Sequence, residues 1–159
     1  MKSKILAAIP ESEVQANCRA VLESRGCYVE RRNTGTFLLE GKDGKTRRFK
    51  AGEKGAADLF GVLPDGRHFE CEIKRYGKRP TLDQVRFLRR MNRWGPAFWV
   101  DDVAALSTFL PEILRGGVVE YLPDEWMFSV ELELPGGETT RQWVKERGGD
   151  FDIDVSGVK

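Results

Sequence analysis

The chain has 159 residues, 40% of them hydrophobic, which is enough to bury one core without covalent staples. Three cysteines (Cys18, Cys27, Cys71) without Cys-x-x-Cys spacing, and a single histidine, His68, argue against a disulfide framework, a zinc cage or an iron–sulfur centre. The formal charge of +1 hides an asymmetry: residues 1–100 carry 21 Lys/Arg against 12 Asp/Glu, and residues 101–159 carry 5 against 13, so the basic part suits a polyanionic partner.

In chain order, the patch after Lys2 and Lys4 is too short for a secretory signal. Residues 12–25 place Val14, Cys18, Val21 and Leu22 on one helical stripe, and Gly26 closes the helix. Residues 27–31 and 37–40 read as strands, 42–45 as a turn, and 47–50 as a basic return strand or loop. Gly52-Glu53-Lys54-Gly55 has nothing to pack with and is expected to be a mobile loop.

Asp58 opens the apolar run 59–63, Pro64-Asp65-Gly66 is a turn, and residues 67–74 alternate. Phe69, Cys71 and Ile73 share one face; Glu70, Glu72 and Lys74 share the other. The economical reading is a β-hairpin whose closure brings Asp58 beside Glu72 and Lys74. Two carboxylates about 4 Å apart repel by ~1 kcal/mol in water and ~4 kcal/mol at an effective dielectric of 20. A hard divalent cation removes that penalty and carries waters that can become nucleophiles.

Residues 81–94 read as a helix with Leu82, Val85, Leu88 and Met91 inward, stopped at Gly95-Pro96. Residues 97–100 are a buried strand, and Asp101 or Asp102 caps a short helix through Leu110. In the tail, Trp126, Phe128, Val130, Leu132 and Leu134 alternate with acidic residues, Pro135-Gly136-Gly137 turns the chain, and residues 139–144 return. That acidic hairpin has three open roles: packing extension, dimer contact, or cover over the basic groove. Residues 148–159 are expected to fray.

Asp58, Glu72-Ile73-Lys74 and Thr81-Leu82-Asp83-Gln84 together resemble the PD-(D/E)XK nuclease superfamily, and within it the VRR-NUC branch. The likeness extends over Glu11-Ser12-Glu13-Val14-Gln15, Arg31-Arg32-Asn33-Thr34-Gly35, Gly52 to Asp58, and Gln84-Val85-Arg86-Phe87-Leu88, roughly the first two-thirds of the chain. Glu-x-Lys alone is weak; the ordered segments are far more specific. The superfamily's proline before the aspartate is Ala57 here. The elements in residues 1–110 give an α/β fold (an α+β mixed sheet) in the order α-β-β-β-α-β, which matches the restriction-endonuclease-like core that the resemblance implies; residues 111–159, with the β-hairpin read from alternation, are a C-terminal extension outside the resemblance.

It also implies a Mg²⁺- or Mn²⁺-dependent endonuclease acting on DNA, with no other cofactor. Asp58, Glu72 and the Ile73 carbonyl would hold the cation, Glu11, on one face with Gln15, would support it with Glu13 as the alternative first-helix acid, and Lys74 would orient water or offset charge. Each residue has a plainer reading. Asp58 could be a strand-start residue, Glu72 an exposed carboxylate paired with Lys74, and Glu11 a helix-start acid favoured by the macrodipole. Gln84 could serve only a Thr81 capping box. Lys54, Arg47, Arg48, Arg75, Lys78 and Arg79 are candidate phosphate contacts or simply solvated charge. Small nucleases of this branch resemble junction resolvases acting as homodimers, which sets the expectation of branched DNA, a phage or bacterial repair or recombination setting, and the cytoplasm. The alternatives are a non-catalytic nucleic-acid-binding module of the same fold, or an interaction protein acting through its acidic hairpin.

Overall fold

The computed structural model describes residues 2–33, 35–123, 126–133, 135–137, 139–144 and 151–154, with backbone alone at 2–3, 35–37, 49–51, 139–144 and 151–154. The fold is mixed α/β. In order it runs α1 (Lys2–Ala8), α2 (Glu11–Ser24), β1 (Tyr28–Arg31), β2 (Gly35–Glu40), β3 (Thr46–Ala51), β4 (Leu59–Val62) and β5 (His68–Ile73). Then come α3 (Leu82–Met91), β6 (Ala97–Val100), α4 (Val103–Leu114), β7 (Val118–Tyr121), β8 (Phe128–Glu133), β9 (Thr139–Val144) and β10 (Phe151–Asp154).

The central sheet has the order β1-β4-β5-β6, antiparallel except for the parallel β5–β6 pair. Its hairpin follows the turn chemistry read from the sequence: Asp65 accepts from the Arg67 N–H at 3.0 Å, and Leu59 faces Cys71 across the ladder. Val14, Cys18 and Leu22 of α2 and Leu106, Phe109 and Ile113 of α4 join Phe69, Cys71 and Ile73 in one core. α3 packs on β5 and β6 from the opposite side, where Gln84 reaches Glu72. Strand β5 is therefore covered on both faces, and the carboxylates of Glu70 and Glu72 are each only 1% exposed.

The second sheet, β10-β9-β8-β7, is wholly antiparallel. The acidic hairpin is thus the centre of a four-stranded sheet, flanked by two strands that local patterning misses. Its inner face packs into the main core: Phe128 meets Phe109 edge-on at 5.6 Å and Phe98 at 6.4 Å. Helix α4 runs through Leu110 to Leu114, so core contacts continue without a break across the boundary expected there.

Several expectations need correcting. The fraying expected over 148–159 is replaced in part by a strand, β10, at Phe151–Asp154; residues 148–150, 155–159 and Leu134 lie outside the described residues. The start of the chain forms a helix, α1. Leu82, the first residue of α3, is 50% exposed, and Val85, Phe87 and Leu88 are the buried residues of the helix. The 52–55 loop has partners on α3 that the sequence did not suggest: Lys54 Nζ lies 2.7 Å from Asp83, and Arg90 reaches Glu53. Gly55, at φ +81°, lies so close to the entrance of α3 that a Cβ there would sit 2.6 Å from the Asp83 carbonyl. The third sheet is β2 with β3 alone.

Candidate active site

The ladder places Asp58 opposite Glu72, one residue beyond the Leu59–Cys71 pair. Asp58 Oδ2 accepts from the Ile73 N–H at 3.0 Å, which fixes its carboxylate against the end of β5. Burial raises the Asp58 pKa, the Ile73 N–H and Lys74 pull it back, and Glu11 adds a further upward push.

Glu72 is the most unusual group in the molecule. Lys74 Nζ lies 2.8 Å from its Oε1, and Gln84 Nε2 donates to the same oxygen. Its Oε2 is buried with no hydrogen-bond partner. Burial first, and Asp58 second, push the Glu72 pKa to about 7, against the pull of Lys74. Leaving a buried carboxylate oxygen unpaired costs about 1–3 kcal/mol or more, so this atom requires an explanation.

Glu70, two residues earlier on the same face, is fully engaged. Arg32 binds it in a fork at 2.7 and 3.0 Å, and His68 Nε2 lies 2.9 Å away. Arg32 also donates to the Ala57 carbonyl at 3.1 Å, its N–H reaches the Asp58 carbonyl at 2.7 Å, and its guanidinium lies 4.3 Å over Phe60. Arg32 thereby clamps the entry to Asp58. Sequence reasoning missed this role, although Arg32 stands in a segment that carries the family resemblance.

Gln84 makes two contacts with one side chain. The capping box is complete, with the Thr81 N–H donating to Gln84 Oε1 at 2.8 Å, while the amide nitrogen of the same side chain serves Glu72. Glu11, exposed at the start of α2, accepts from the Arg75 N–H at 3.2 Å and lies near enough to raise both carboxylates; Glu13 has no such influence on them.

The basic residues divide. Arg75 donates to the Ala7 carbonyl at 2.8 Å, closing the C-terminus of α1. Lys54 pairs with Asp83, Arg47 with Asp43 at 3.2 Å, and Arg79 lies 4.3 Å over the Trp126 ring. The Lys54–Asp83 and Arg47–Asp43 ion pairs are exposed and worth little in water. Arg48 and Lys78 are exposed.

Among the described residues no three His, Cys, Asp or Glu side chains form a metal cage by themselves. A hard cation held by two carboxylates, a backbone oxygen and waters is nonetheless a standard arrangement. The residues fit it: an orphaned carboxylate oxygen, a facing carboxylate, and two raised pKa values that a divalent charge would lower. Comparison with protein-family models, curated proteins and solved structures finds no match to this chain. Among the described residues no helix is long and apolar enough to cross a membrane.

Proposed function

We propose that the chain is a metal-dependent endonuclease that hydrolyses DNA phosphodiester bonds. One observation carries this reading: Glu72 is buried opposite Asp58 with one oxygen fixed by Lys74 and Gln84 and the other without a partner. A bare carboxylate oxygen facing a second carboxylate is a place that a hard cation would fill. Asp58, Glu72 and the Ile73 carbonyl would hold Mg²⁺ or Mn²⁺, with Glu11 in support. When bound, the ion would polarise the phosphate and lower the pKa of a water.

Lys74, held at Glu72, supplies positive charge where the phosphate gains negative charge, and donates to the attacking water. Gln84 restricts Glu72 to one rotamer. Arg32, through Ala57 and the Asp58 carbonyl, keeps the facing strand in register. The substrate would be branched DNA, with a second copy of the chain cutting the opposing strand, in agreement with the VRR-NUC resemblance in sequence.

The test is cleavage of labelled duplex, flap and four-way-junction DNA with Mg²⁺, Mn²⁺ or EDTA, comparing wild type with Asp58→Ala and Lys74→Ala. Metal-dependent cutting lost in both variants is expected. Salt-sensitive binding without cutting of any substrate would replace this reading with the non-catalytic binding module.

A further inference from the structure

Strands β2 and β3 form a two-stranded arm that belongs to neither larger sheet. Over its described side chains the arm is open on both faces: Leu38, Leu39 and Glu40 on one strand and Thr46, Arg47 and Arg48 on the other are all exposed. Leu38 is 64% and Leu39 55% exposed. As strand neighbours they point to opposite faces, and the register sets Arg48 beside Leu38 and Arg47 beside Leu39. Each face thus presents a leucine next to an arginine.

A lone hairpin is marginal in water, and exposed leucines on an uncovered ribbon are a liability. A partner that covers the arm would remove that liability. The arm's charge identifies the chemistry: Lys42, Lys45, Arg47, Arg48 and Lys50 against Glu40 and Asp43, with Asp43 already paired to Arg47. A basic two-stranded ribbon fits the DNA major groove, which is about 12 Å wide.

The arm's position adds a second argument. It is inserted between β1 and β4, and the Arg32 N–H to Asp58 carbonyl bond closes its root. The loop that carries the arm thus ends at the candidate metal ligand, with residues 52–57 between the arm and Asp58. Its six-residue strands extend about 20 Å at ~3.4 Å per residue, which corresponds to about six base pairs at ~3.4 Å each. We infer that residues 35–51 are a duplex-DNA grip, lying in the groove and anchoring about six base pairs to one side of the bond to be cut. The placement of the cut rests on the nuclease reading; the grip on duplex does not.

The experiment uses the full chain in EDTA, so that binding is read without cleavage. Fluorescence anisotropy with a labelled duplex of about 20 base pairs, and with the matching single strand, compares wild type with Lys45→Ala/Arg47→Ala/Arg48→Ala and with Leu38→Ser/Leu39→Ser. These positions are exposed, and circular dichroism verifies that the variants fold. The triple variant is expected to raise the duplex Kd at least tenfold and to make the log–log salt slope shallower by about 2–3. Its single-strand Kd should change less than twofold. Equal loss on both strands, or no loss on duplex, overturns the grip. So does a leucine variant that turns a dimer into a monomer in sedimentation while duplex binding stays unchanged, since the arm would then serve a second copy. Arm-dependent duplex binding without cutting in Mg²⁺ or Mn²⁺ would sink the nuclease reading alone; cutting with arm-independent binding would sink the grip alone.

Discussion

Glu70 and Glu72 are the same residue type, two apart on one strand, on one face and equally buried. Their surroundings set them apart. Glu70 is enclosed by Arg32 and His68, whereas Glu72 keeps one oxygen bare beside a second acid. A buried charge with its partners in place is scaffold. A buried charge denied one, next to a like charge, is held for something that arrives later. An unmet hydrogen bond alone does not set Glu72 apart, since Glu112 Oε2 lacks a partner too; the facing acid Asp58 and the raised pKa beside it do.

The sharpest way to break this comparison is to remove each acid in turn. Glu72→Ala is expected to lower cleavage at least about a thousandfold, ~4 kcal/mol of barrier, while leaving the melting temperature of the metal-free protein unchanged or higher. Loss of fold in this variant would place Glu72 with Glu70 as scaffold. Glu70→Ala should do the reverse. It strands Arg32 half-buried and unpaired, costs about 3–5 kcal/mol, and lowers the melting temperature by roughly 10 °C, with activity per folded molecule largely kept.

A pH series sharpens the contrast. Because the Glu72 pKa is raised to about 7 from 4.5, the folded state binds more protons than the unfolded one between those values. Stability of the metal-free protein should therefore fall as pH rises from about 4.5 to 7, by at most about 3 kcal/mol from this group. Mg²⁺ or Mn²⁺ should restore it at pH 8, and metal affinity should weaken about tenfold per pH unit below 7. A melting curve that is flat with pH, or indifferent to metal, would leave Glu72 without its special standing. The smallest effect belongs to Thr81→Ala, which removes the cap of α3 at about 1 kcal/mol and lowers melting by about 2–4 °C.

The parts of the site legible in the sequence are those fixed by local chemistry. Pro64-Asp65-Gly66 sets the hairpin register, and the register puts Asp58 opposite Glu72. The Thr81–Gln84 spacing announces a capping box. What alternation could not tell is that the Glu70–Glu72 face is covered, because that depends on α3 folding back across it. Nor could it single out Arg32, whose partner lies 38 residues away. The strands β7 and β10 are short, and their pairing is set by the strands they border and not by any pattern of their own. For the same reason, only the placement of α3 over the sheet decides that Leu82 is exposed and Phe87 buried.

The seam between the two larger sheets has a consequence for how the chain comes into being. Trp99 Nε1 donates to the Trp126 carbonyl at 2.8 Å, Trp126 Nε1 donates to the Pro80 carbonyl at 2.8 Å, and Phe128 fills the space beside Phe98 and Phe109. Every candidate ligand has been synthesised by Gln84, yet the wall behind them is not complete until about forty residues later, at Phe128 and Val130. A nascent chain on the ribosome therefore holds its whole chemical inventory while still lacking the support that orders it. On the nuclease reading proposed above, competence comes late in translation.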